Sequence, residues 1–143
     1  MAGDPSRVAA SGGASELTKG DRKRIARLVH SAENKTGLQL VVYVGPVDGD
    51  PAEHAQELVA QADVPAVLLL VAPGHRRLEV RTTASVRDRV PDEAAARVVE
   101  VMTPLLQAGD VVGAVRAGLA TLVTAAGRAR RGRGEELPDV LGA

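Results

Sequence analysis

Asp48, Asp50, Glu53 and His54 fall within seven positions, directly after an apolar run. Carboxylates two residues apart could seat a hard cation, but calcium takes roughly six oxygens and this stretch supplies few. The same residues also spell a helix start. Asp50 stands where an N-cap belongs, Pro51 at the first helical position, and Glu53 three residues after the cap, so Asp50 and Glu53 read as a reciprocal capping box. Asp48 then lies in a Gly-containing turn that favours Asx geometry, and the capping reading is preferred because it needs no ligand. A second pairing sets His75 against Asp48 as acid and base, since the turn carrying His75 should lie beside the Gly45–Asp50 loop. A lone turn histidine is more often only solvated.

A third set is Arg81, Asp88 and Asp92, in which the guanidinium would hold an anion and the two carboxylates a cation. Against it, Asp92 complements a helix dipole, and Asp88 pairs with Arg87 or Arg89 on a solvated turn. A fourth is the run RARRGRG at 128–134, a phosphate-binding arm by charge. It has no aromatic partner and meets Glu135 and Glu136 at once, so a solubilising tail is the better reading. His30 lies off the apolar stripe of its helix and reads as surface. No phosphate-cradling glycine loop, nucleophile elbow or zinc ligand set occurs.

Composition narrows the classes. A chain of 143 residues with 45% apolar content makes one domain with a real core. Its 18 basic and 18 acidic residues cancel, so any electrostatic partner must be read locally. No cysteine is present, which excludes thiolate chemistry and disulfides. With no Phe, no Trp and a single Tyr, stacking platforms for bases are missing, and nucleic acid is disfavoured as a partner. Neither a signal-peptide pattern nor an apolar run long enough to span a bilayer is found, so a cytoplasmic location is expected. Arginine supplies 15 of the 18 cations, in keeping with a GC-rich bacterial genome.

The elements that must position these groups follow from periodicity. Residues 1–16 are small, polar and aperiodic, and read as a disordered lead. Thr18 and Asp21 form a capping box ahead of Ile25, Leu28, Val29 and Ala32 at helical spacing, and Thr36-Gly37 ends that helix. Leu38 to Val44 is a buried strand. The second helix carries Ala52, Ala55, Leu58, Val59 and Ala62 on one face. Ala66 to Ala72 is a second buried strand, and a right-handed βαβ unit results, in which Leu40, Val42, Val44, Leu68 and Leu70 are expected to be buried together. The turn at Pro73 sends Arg77 to Thr83 back antiparallel, with Leu78 and Val80 inward and Arg77, Glu79 and Arg81 toward water. The third helix opens at Pro91-Asp92-Glu93 and holds Pro104. The fourth is capped by Asp110, with Gly113, Ala117 and Gly118 on a thin side, and is expected to stop at Gly127. The expectation is a single α/β domain over 17–127, in the order αβαββαα. Its small mixed sheet, a βαβ unit plus an antiparallel hairpin, is packed by helices, and 128–143 form a flexible Arg-rich, mixed-charge tail.

From Leu17 to Val123 this order resembles the TPM domain, a family that includes a plant thylakoid acid phosphatase and many bacterial proteins. The likeness rests on Leu17, Thr36-Gly37, Ala55, Val67 to Val71, Asp92, Pro104, and Leu106 to Asp110 followed by Gly113. Where the family commonly carries Asp-Asn-Gly, this chain has Val64-Pro65-Ala66. Where the family has Gly-Tyr-Gly followed by Glu, it has Arg81-Thr82-Thr83 and then Ser85. Both departures fall at the end of the sheet where the second strand begins and the third finishes. The resemblance is therefore to a divergent, signal-less actinobacterial form.

The expected function is a non-catalytic TPM-like domain that binds a protein partner or associates with itself, with no catalytic residues, no metal and no cofactor. Arg81, Asp88 and Asp92 are its candidate ligand-binding residues. The alternative that the resemblance implies is a metal-dependent acid phosphatase or related hydrolase, using calcium or magnesium.

Overall fold

A computed structural model describes residues 17–136, with side chains described as far as Gly127. The expected lead over residues 1–16 and the last residues of the tail, 137–143, lie outside the described residues. The chain runs α1 (Lys19–Thr36), β1 (Gln39–Val44), α2 (Pro51–Ala60), β2 (Ala66–Ala72), β3 (Arg77–Thr82), α3 (Asp92–Gln107) and α4 (Val111–Glu136). Single 3₁₀ turns at Pro73–His75 and Ala84–Val86 flank β3. The order αβαββαα is the one expected.

Local signals set most boundaries. Thr18 Oγ1 accepts the Asp21 N–H at 2.9 Å while Asp21 accepts the Thr18 N–H at 3.2 Å, the reciprocal box that opens α1. Gly37, at φ 74°, closes α1 by donating its N–H to Glu33 O. Only glycine adopts that left-handed geometry without strain. The cap of α2 is one-way: Asp50 accepts the Ala52 N–H at 3.3 Å, and Glu53 is exposed instead of returning a bond as expected. Pro51 takes the first position, where its missing N–H costs nothing. Asp110 accepts the Gly113 N–H at 2.9 Å and starts α4.

The sheet has three strands in the order β1-β2-β3, the first pair parallel and the second antiparallel. Register divides its two faces. Leu40, Val42 and Val44 lie with Val67, Leu69 and Val71 in the main core, beneath Ile25 and Val29 of α1, Val98 and Met102 of α3, and Leu119 and Leu122 of α4. Leu68, Leu70 and Ala72 point the other way, into a smaller cluster with Val47 and Ala55 that α2 covers. The expectation that Leu68 and Leu70 pack with Leu40, Val42 and Val44 is therefore corrected, because successive residues of a strand face opposite sides.

Two further readings change. Glu79, expected in water, is only 6% exposed on the α2 face of β3, opposite Leu70. Helix α4, expected to stop at Gly127, continues to Glu136. An interior glycine costs a helix only about 1 kcal/mol relative to alanine, and the neighbouring Ala and Arg residues are good helix formers, so Gly127 is a weak stop. Pro104 sits inside α3 without ending it. No described helix is long and apolar enough to cross a membrane.

Candidate functional site

Polar groups gather at three places on the sheet. The first is the C-terminal edge of the parallel strands, where open α/β sheets usually bind ligands. There the loop after β1 is tied from two sides. Tyr43 Oη donates to Pro46 O at 2.6 Å, and His75 Nε2 meets Val47 O at 2.8 Å, which requires the Nε2-protonated tautomer. Val47 is buried in the α2-side cluster, so the two bonds hold a loop whose apex is already anchored by packing. The turn bearing His75 thus lies beside the loop, as expected. Its imidazole, however, is committed to a backbone carbonyl at one nitrogen, while Asp48 and Asp50 are exposed. The His54 ring stands edge-on to Tyr43, centroids 5.8 Å apart. Partial burial, with the Asp48 charge adding to it, pushes the Tyr43 phenol above its ordinary range and keeps it a donor.

The second place is a charged row on β3. Residues 77, 79 and 81 share the α2 face, and the Glu79 carboxylate accepts from Arg77 at one oxygen and from Arg81 at the other, the latter at 2.7 Å. Arg81 also reaches its neighbour's carbonyl, Val80 O, at 3.2 Å. Glu79 was missed in the sequence, although a lone acid between arginines at i−2 and i+2 of a strand is the available signal. Those spacings place all three groups on one face.

The third place is the opposite end of the sheet, where β2 begins and β3 finishes. Thr83 and Ala66 bind each other there: Ala66 N–H donates to Thr83 Oγ1 at 3.1 Å and Thr83 N–H to Ala66 O at 3.0 Å. Thr83 and Ser85 share a hydroxyl contact at 3.3 Å, and Pro65 O accepts the Gln39 N–H at 3.0 Å. Val64 stands out from this rim at 48% exposure.

Of the three predicted ligand residues, Arg81 lies on the α2 face and is occupied by Glu79. Asp88 sits on the connection between Val86 and Val90, which are buried in the main core on the other side of the sheet, and Asp92 is the exposed first residue of α3. The sheet therefore separates the arginine from the elements that carry the two aspartates. No cluster of three or more His, Asp or Glu able to hold a metal ion occurs among the described residues. His30 is exposed on α1.

With the geometry in place, comparison with known proteins gives two findings. Residues 13–125 match the family described as the TPM domain. The backbone is similar to the BA42 protein of the psychrophilic Bizionia argentinensis, with TM-score 0.72 and 16% identity over 80% of this chain and 83% of that one. It is also similar to the N-terminal domain of a protein from P. gingivalis, with TM-score 0.70 and 16% identity over 86% of this chain and 83% of that one. The N-terminal domain of the cg2496 protein from Corynebacterium glutamicum gives TM-score 0.69 and 13% identity over 96% of this chain and 86% of that one. At these identities the likeness is one of fold.

Proposed function

The chain belongs to the TPM domain family, and from that premise we propose that it is a non-catalytic member which works by binding a protein partner or by assembling with itself. One observation carries the reading. At the sheet end where the resemblance implies acids and an asparagine in the family, this chain presents an exposed Val64, a proline, and a Thr83 hydroxyl bonded to backbone and in contact with the Ser85 hydroxyl. Such a rim offers too few oxygen donors for calcium or magnesium and has no activated nucleophile.

Several other polar groups support the same reading, because folding already employs them. Asp21, Asp50 and Asp110 cap helices. Glu33 accepts the Leu40 N–H at 3.0 Å, tying α1 to β1. Glu79 pairs with two arginines, and His75 fastens a loop.

Thermal unfolding with millimolar calcium or magnesium tests the proposal, since a ligand bound only to the native state must raise the melting temperature. The expected result is no change with either ion. A rise that Asp88→Asn or Asp92→Asn abolishes would move the chain toward the metal-dependent hydrolases.

A further inference from the structure

The zero net charge of the chain hides a strong separation. Helix α1 carries six cations, Lys19, Arg22, Lys23, Arg24, Arg27 and Lys35, against two acids, Asp21 and Glu33. Both acids are occupied, one in the capping box and one on the Leu40 N–H. Residues 36–75, by contrast, contain five acids, Asp48, Asp50, Glu53, Glu57 and Asp63, and no Lys or Arg. All five are exposed. Helix α1 packs on the main-core face of the sheet and α2 on the other, so the basic and acidic helices lie on opposite sides of the molecule.

Each helix concentrates its charge on an outward ridge. Lys19, Lys23 and Arg27 recur every fourth residue, away from the buried stripe of Ile25, Val29 and Ala32. Asp50, Glu53 and Glu57 run along α2, away from Ala55 and Val59. At 1.5 Å per residue the ridges are about 12 Å and about 10 Å long. The basic ridge does not help its own helix, because like charges four apart repel and Lys19 and Arg22 oppose the dipole at the α1 N-terminus, whereas on α2 Asp50 caps the helix and Glu53 suits its N-terminal dipole. Among the described residues, Lys19, Lys23 and Arg27 have no acidic partner. On the α2 face of the sheet, Arg77 and Arg81 are drawn to Glu79.

We propose that the basic ridge of α1 docks on the acidic ridge of α2 of a second copy of this chain, head to tail. Because the two ridges face opposite ways, each added copy leaves one of either kind free. The contact is therefore heterologous and builds a ring or an open stack rather than a two-fold dimer. Exposed ion pairs are individually weak, so the association is salt-sensitive and grows with concentration. This deepens the assembly reading and rests on it.

Sedimentation velocity on the full chain tests the proposal at about 0.01 M salt, where the screening length is about 30 Å, and at about 0.15 M, where it is about 8 Å. At the lower salt the sedimentation coefficient should rise with protein concentration, and at the higher salt the rise should shrink markedly. Two charge reversals sharpen the test: Lys19→Glu with Lys23→Glu and Arg27→Glu, and separately Glu53→Lys with Glu57→Lys. Each variant, shown folded by circular dichroism, should stay monomeric alone, and an equimolar mixture of the two should associate. A parent that stays monomeric at low salt, association that survives either reversal, or a mixture that stays monomeric would each overturn the docking. Those outcomes leave the absence of catalysis standing, whereas metal-dependent turnover would remove the module reading whatever the sedimentation shows.

Discussion

Glu79 is a carboxylate held under a helix by two arginines that remain partly in water, with side-chain exposures of 47% for Arg77 and 33% for Arg81. Removing one member of a buried ion group leaves the others without a partner, but arginines with this much access to solvent recover part of the loss. Glu79→Ala should therefore cost about 1–3 kcal/mol by urea unfolding. Replacing the set together, as Arg77→Met with Glu79→Leu and Arg81→Met, should stay within about 1 kcal/mol of the parent, since an apolar row of similar volume fits against Leu70. Tyr43 gives a pH-dependent counterpart. Its folded phenol titrates above the unfolded value of 10.0, so its stabilisation is fully present below that pH and is lost as pH rises through the folded pKa. Tyr43→Phe should cost about 0.5–1.5 kcal/mol at neutral pH by loss of the Pro46 bond. Above pH 10 its stability should fall less steeply than the parent's, as urea unfolding across that range would show.

At the scale of elements, α3 and α4 approach closely at Gly118. A methyl group added at Gly118 would lie 2.5 Å from Met102 Sδ, 2.9 Å from its Cγ and 3.4 Å from Val98 Cγ1. Met102 is fully buried and has little room to move. Gly118→Ala should destabilise by about 1–3 kcal/mol from overpacking, reduced by about 1 kcal/mol of regained helix propensity. In combination with Met102→Ala the two losses should be clearly less than additive, because the shortened side chain vacates the space the new methyl needs. The thin side of α4 was legible in the sequence as Gly113, Ala117 and Gly118, and so were the starts of α1, α2 and α4, because capping is local chemistry written in adjacent residues. The facing of β2 was not legible. All seven of its residues are buried, so no alternation marks which of them meet α1 and which meet α2. The environment of Glu79 was hidden for a related reason: charged alternation on β3 reads as a solvent face until α2 is known to lie across it. The end of α4 was missed because one glycine among good helix formers carries little stopping power.

For the whole molecule, topology sets Arg81 on one face of the sheet and the elements that carry Asp88 and Asp92 on the other. Residues near one another at the end of β3 in sequence are parted by the sheet, since Arg81 points to the α2 side and the following turn folds under the main core. The family likeness was legible because it is carried by the order of short signals over more than a hundred residues. The opposed basic and acidic helices were not, because a net charge of zero conceals them and only the packing shows that α1 and α2 occupy different faces. Turnover decides whether the proposed non-catalytic reading holds. The assay is a panel of phosphomonoesters at acidic and neutral pH with calcium, magnesium or manganese, run beside Asp88→Asn and Asp92→Asn. Rates at the buffer background are expected for all three proteins, whereas metal-dependent turnover in the parent that either substitution abolishes would overturn that reading.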